Sequence, residues 1–209
     1  MSVTSSGSGD ATSTTTPAAT SSTTTPDPDS TGAPGDSTGA SLIPPGAIVV
    51  YRTPGVHNGD FVGPAGGPEA LAGYVDELCE STGVYAEQGC NVALAVIDLP
   101  MDPLVPGLFP NQPFYAPDGT RLAPAPGEFL AGPLEASLAD AGVFDAAVST
   151  FWTGLDAGLG ERCLEWSSAL PAANGATGSA TMSGPAWLGM GGSTPCNTEL
   201  PLLCTCWSE

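Results

Sequence analysis

The chain has no lysine, three arginines and one histidine against 22 acidic residues, giving a formal net charge of −19. A polyanion such as nucleic acid is repelled by that balance, so nucleic-acid binding is excluded as a class. There is no run of 18 apolar residues, so no segment is expected to cross a membrane as a helix. The six cysteines include no CxxC pair of the zinc-binding kind. In so unusual a composition they point to an oxidising compartment and disulfides rather than to a cytosolic metal site. The sole histidine, His57, has no second His or Cys at ligand spacing beside it, so neither a metal nor a catalytic role is expected of it. No cofactor is expected.

The first 40 residues also lack something: they contain no aromatic, leucine or isoleucine, and half of them are Ser or Thr. Such a segment cannot bury enough apolar surface to offset the entropy of ordering it, so residues 1–43 are expected to be a disordered Ser/Thr/Pro spacer. As a flexible coil it would span about 35 Å and act as a stalk. Met1-Ser-Val-Thr-Ser-Ser-Gly carries no leader features, and an exported chain is expected to have had a leader upstream, cleavable or lipidated. A lipidated leader would tether the domain to a membrane. Residues 44–209 form one domain on length alone.

Within that domain, AIVVYRT reads as the first strand, and TPGVHNGDFVGPAGG as a turn-rich loop carrying His57. Pro68 opens a helix expected to end at Gly83, with Leu71, Val75, Leu78, Cys79 and Thr82 on one face. NVALAVID, an unbroken apolar run, predicts a central strand. FYAPDGTRLA predicts a hairpin turned at Asp118-Gly119, and PLEASLADAGV a short second helix. Four of the six cysteines (Cys163, Cys196, Cys204, Cys206) and three of the four tryptophans (Trp152, Trp166, Trp187) fall between Phe151 and Cys206, among Gly, Ser and Thr. Cys204 and Cys206 stand two apart on an expected strand, so their side chains share one face.

The last third resembles a known family. VSTFWTGLDAG, CLEWSS, GATGSATMSG, WLGMGGSTPC and LPLLC follow the order and spacing of the second half of the endostatin module of collagens. They also resemble uncharacterised domains of bacterial surface proteins and lipoproteins that follow Thr-rich stalks. AIVVYRTPGVHNGDFVG, the Cys79 helix, NVALAVID and FYAPDGTRLA are similar to earlier segments in the same order, so the resemblance spans about residues 46–206. It implies an α+β, C-type-lectin-like (endostatin-like) fold. It also implies nested disulfides, Cys79 with Cys204 and Cys163 with Cys196. Cys90 and Cys206 stand outside the family's pattern and are left to pair with each other.

The family's known ligands do not carry over. Endostatin binds heparin through arginine clusters, and the only arginines here are Arg52, Arg121 and Arg162. Heparin binding is not expected. Its zinc site uses amino-terminal histidines, and His57 stands alone. Calcium-dependent lectins need a carboxylate-bearing Glu-Pro-Asn type of triplet, whereas Asn111-Gln112-Pro113-Phe114 has no acid and comes too early. What remains is a non-catalytic, secreted or cell-surface binding module for a glycan, a matrix polymer or a protein. Trp166 and Trp187 would stack on a sugar if exposed, with Asn174, Asn197 and Gln112 as polar contacts. The alternatives are a structural cell-envelope protein without a small ligand and an enzyme. Catalysis is not expected, because only His57, Asp98 and Asp102 offer proton-transfer groups in promising places and oxidised cysteines supply no thiolate.

Overall fold

A computed structural model of the chain describes residues 42–155 and 161–209. All of them lie in one compact unit, Ala40–Glu209. Most of the expected spacer therefore falls outside the described residues. Its last residue does not: Ile43 is buried against the core, so the folded domain begins earlier than residue 44.

The architecture is α+β, built on two sheets. The larger contains β2 (Val92–Ala95), β8 (Leu203–Trp207), β1 (Ile48–Arg52), β3 (Phe114–Tyr115) and β4 (Arg121–Ala123), in that spatial order. β1 runs parallel to β3, and the other pairs are antiparallel. The smaller sheet is the meander β5 (Thr150–Trp152), β6 (Asn174–Ser179) and β7 (Gly192–Pro195). Successive strand residues point to opposite faces, which divides the core in two. Ile48, Val50, Leu203 and Trp207 face one apolar cluster with Phe114, Phe129, Phe151 and Trp187. Val49, Tyr51, Cys204 and Cys206 face the other, with Val75, Cys79, Trp152 and Trp166.

Four sequence expectations are corrected. NVALAVID forms an edge strand rather than a central one, because β2 pairs only with β8. Its apolar run is explained by cover on both faces, from Val75 and Cys79 of the helix on one side and Leu104 and Leu108 of a loop on the other. Hydrophobic patterning reports covered faces, not the number of strand neighbours. After a short helix, α1 (Val62–Ala65), the helix after Pro68 begins as a 3-10 turn, Pro68–Ala70, and continues as α2, Leu71–Glu80. Gly83 does not end it. Thr82 instead accepts the Tyr85 N–H through its hydroxyl and caps a new helix, α3 (Gly83–Glu87). PLEASLADAGV forms turns, not a helix. The Ala139 N–H, which a helix would give to Glu135, donates to Ala180, and the N–H groups of Leu134 and Glu135 donate to Ser183 and Leu122, which ties the segment to other parts of the chain. The Asp118-Gly119 hairpin forms as expected, with Gly119 at φ +89° and the Asp118 carboxylate accepting from the Thr120 N–H.

Three disulfides close the domain: Cys79–Cys204, Cys90–Cys206 and Cys163–Cys196. The first and third are the pairs implied by the resemblance, and the second joins the two cysteines left outside the family's pattern. The first two join α2 and the segment after α3 to one face of β8, as the two-residue spacing of Cys204 and Cys206 requires.

α2 also places a carboxyl in an unfavourable setting. Asp76 sits largely buried beside β2, and burial raises its pKa from the ordinary 3.8 to about 6, although the Ala95 N–H it accepts favours the charged form. The folded state thus takes up this proton more readily than the unfolded chain. The stability Asp76 contributes is complete below about pH 4 and is lost as pH rises through about 6. Melting temperatures compared for wild type and Asp76→Asn across that window should show wild type losing stability toward neutral pH relative to the variant. Parallel curves would show that the carboxyl is not perturbed.

Candidate functional site

The most unusual local structure of the domain lies at CLEWSS. Cys163, Leu164, Glu165 and Trp166 have φ of 51°, 54°, 58° and 62°, forming a left-handed helical turn of non-glycine residues. The Trp166 N–H donates to the Arg162 carbonyl, and the Ser167 N–H donates to the Cys163 carbonyl at 3.2 Å. In this conformation Cβ crowds the following carbonyl, at about 1–2 kcal/mol per residue. Four such residues amount to roughly 4–8 kcal/mol, so the turn persists only because its surroundings impose it.

Those surroundings can be named. Cys163 is fully buried and bonded to Cys196. Trp166 has 0% exposure, donates its indole N–H to the Asp98 carbonyl at 3.0 Å, and packs edge-on against Phe61 and Trp152. The Phe61 N–H donates back to the Trp166 carbonyl at 2.9 Å. Arg162, just before the turn, donates two hydrogen bonds to one Asp98 oxygen, while the other accepts the Leu104 N–H at 3.1 Å. Burial works against the Arg162 charge, but the hydrogen bonds and negative charges of Asp98 and Glu165 together outweigh it and hold the guanidinium above its ordinary pKa. Gly154 makes room for the assembly. Its φ is +67°, and a Cβ there would lie 2.7 Å from the Trp166 ring and 3.0 Å from the Asp98 carbonyl oxygen.

Between its two buried ends the turn presents Leu164, 66% exposed, and the exposed Glu165. Glycine at residue 164 would remove the crowding without disturbing a contact. Leu164→Gly should therefore stabilise the domain by about 0.5–1 kcal/mol, the left-handed relief exceeding the added unfolded-state entropy. Glycine on an exposed right-handed helical turn would instead cost about 1 kcal/mol. Chemical denaturation decides the sign.

A cavity of about 400 Å³ opens on one side of the turn. The start of α2 supplies Leu71 and Ala72, and the loop beyond β2 supplies Leu99, Pro100 and Met101. Met101 is 75% exposed and forms part of the wall. The polar lining consists of three carboxyl side chains: Glu69, Asp102 and Glu165. A second hollow of about 520 Å³ lies on the other side of the turn, where Leu164 and Glu165 meet Ala172 and Asn174.

The residues expected to bind ligand divide sharply. Trp166 and Trp187 are corrected: both have 0% exposure, and the Trp187 indole N–H donates to the Phe129 carbonyl at 2.9 Å. Neither can lay a ring face on a sugar, because large aromatics among aromatic neighbours gain more from burial than from solvent contact. Asn174 and Asn197 are exposed, Asn174 at the second hollow and Asn197 on the turn after Cys196. Gln112 lines a different hollow, near Trp207.

Of the candidate proton-transfer groups, Asp98 and His57 have structural roles, and Asp102 lies on the rim of the cavity. Asp98 is committed to Arg162 and the Leu104 N–H. His57 pairs its backbone with Leu200 and accepts the Trp152 indole N–H on its carbonyl, while its half-buried ring lies 5.9 Å from Phe61. Burial lowers its pKa below 6.5, against the opposing charge of Glu199. All six cysteines are in disulfides. Among the described residues no group of three or more His, Cys, Asp or Glu is arranged to hold a metal ion. No helix among them is long and apolar enough to cross a membrane.

Sequence reasoning did not find the left-handed turn or the cavity beside it. Left-handed residues are ordinarily signalled by Gly, Asn or Asp, and Cys-Leu-Glu-Trp has none. Met101 offered a faint signal, as an exposed apolar residue among prolines. No protein-family model matches this chain, and no curated protein is similar to it.

Proposed function

We propose that the chain is a non-catalytic binding module, exported and stapled by its disulfides, with a C-type-lectin-like fold of the endostatin type. Its ligand face is formed by the left-handed turn and the Met101 loop. The observation that carries this reading is the turn itself: a disulfide, a buried tryptophan and a partly buried ion pair hold four unfavourable residues in place, with Leu164 and Glu165 exposed beside a mainly apolar cavity. Backbone strain of this size is kept where it positions groups for recognition or chemistry. The nearby Asp98 and Arg162 are consumed in holding the turn, which favours recognition. The three disulfides and the absence of a membrane-spanning helix among the described residues support an extracellular or cell-surface location.

The experiment is an array of cell-envelope polysaccharides, glycans and matrix proteins probed with the full chain and with a Met101→Ser/Leu164→Ser variant. Both side chains are largely exposed, so near-UV circular dichroism should show an unchanged fold. Binding by the wild type should fall at least about tenfold in the variant, the loss expected when two contact residues of an apolar interface are removed. Equal binding by both proteins would move the ligand surface elsewhere. Binding that requires calcium would mean that loop carboxylates, not this apolar face, hold the ligand.

A further inference from the structure

The cavity beside the turn combines an apolar floor with a rim of one charge. Leu71, Leu99, Pro100 and Met101 offer hydrocarbon, and Glu69, Asp102 and Glu165 offer negative charge. Glu69 and Asp102 have no hydrogen bond or ion pair within the described structure. Glu165 has only a 3.5 Å contact with Arg162, whose shorter bonds go to Asp98. The molecule has no cation of its own to spare for this rim. It contains no lysine, and its three arginines are paired: Arg52 with Asp145, Arg121 with Glu135 and Arg162 with Asp98. A second copy of the chain would be equally poor in cations. The complementary ligand is therefore foreign, apolar along its length and positively charged at its end.

On the reading that this face binds a ligand, we propose that the cavity receives a basic side chain, lysine or arginine, displayed by a partner protein. Long basic side chains lay their methylenes on apolar surface and keep the charged head at a wet edge, which is the division of chemistry this cavity presents. Its volume of about 400 Å³ falls within the range of roughly 300–1,000 Å³ typical of small-ligand sites. Met101, unbranched and exposed, can adapt its thioether to either stem. The rim charge would draw a basic partner in from solution and discriminate against acidic ones.

The test uses the ¹⁵N-labelled full chain and three small probes: N-acetyl-lysine methylamide, its uncharged analogue N-acetyl-norleucine methylamide, and N-acetyl-glutamate methylamide. The lysine probe should shift the amide signals of residues 69–72, 99–102 and 164–165, and bind about tenfold more tightly than the norleucine probe, several carboxylates each contributing a few-fold. That advantage should disappear in about 1 M salt, where the Debye length is near 3 Å. It should also disappear in Glu69→Gln/Asp102→Asn, whose exposed side chains make no hydrogen bond or ion pair in the described structure, while weak norleucine binding stays. The glutamate probe should not bind.

Equal affinity for lysine and norleucine probes would overturn the cation preference and leave the binding face standing. Lysine-probe shifts spread over the acidic surface, or undiminished in the double variant, would show non-specific charge attraction and also overturn it. Absence of shifts in the cavity with every probe would overturn both the cation preference and the choice of this face.

Discussion

Serine at Cys79, Cys204, Cys90 and Cys206 together should leave the domain unfolded at 25 °C, although serine at either disulfide pair alone should not. The two bonds join neighbouring points and span 125 and 116 residues. In the chain-entropy account, closing either loop first restricts the unfolded chain by about 5 kcal/mol. Closing the second then adds only a ring of about 15 residues, worth about 3 kcal/mol. Removing one pair should thus cost about 3 kcal/mol and removing both about 8 kcal/mol, within a typical total stability of roughly 5–15 kcal/mol. Packing loss adds to this, since Cys79, Cys204 and Cys206 are fully buried. Urea unfolding of the two double-serine variants and the quadruple variant makes the comparison. A quadruple loss equal to the simple sum of the two double losses would show that the bonds constrain the unfolded chain independently.

Trp166→Ala should cost about 3–5 kcal/mol, the range for truncating a buried large aromatic, because the cavity left among Phe61, Trp152 and Gly154 cannot collapse onto a rigid disulfide. Its consequence for the binding face should be larger still. With its indole anchor to the Asp98 carbonyl and its ring packing gone, the left-handed turn is left to the Cys163 bond, the Arg162 ion pair and backbone hydrogen bonds such as that from the Phe61 N–H, and its four unfavourable residues can relax. Trp166→Phe separates the two contributions: it keeps the ring contacts, loses one hydrogen bond and should cost about 1–2 kcal/mol. Denaturation combined with the amide shifts of residues 163–167 follows both. An alanine variant within about 1 kcal/mol of wild type would show that Trp166 is not the anchor.

The rules that failed did so for identifiable reasons. Residues 133–143 carry a short helix signal, yet the Ala180 carbonyl takes the Ala139 N–H, and Ser183 and Leu122 hold the start of the segment. The Gly83 stop was overridden by one hydroxyl, that of Thr82. Trp166 and Trp187 are sugar platforms only if exposed and core residues if not, and residue type does not say which way a ring points; both are buried.

By itself the sequence determined an oxidised α+β domain. Its β-branched and aromatic run AIVVYRT specifies strand β1, and its Asp-Gly dipeptide specifies the hairpin turn. These are local or compositional properties, readable wherever a residue's preference and its surroundings agree. The tertiary structure alone assembled the face proposed to bind a ligand. The left-handed turn contradicts the preferences of Cys, Leu, Glu and Trp, and exists because partners distant in the chain hold it: Cys196, Asp98 and Phe61. The cavity likewise joins the start of α2, the loop after β2 and Glu165 of the turn. No local pattern can report a surface whose parts become neighbours only on folding.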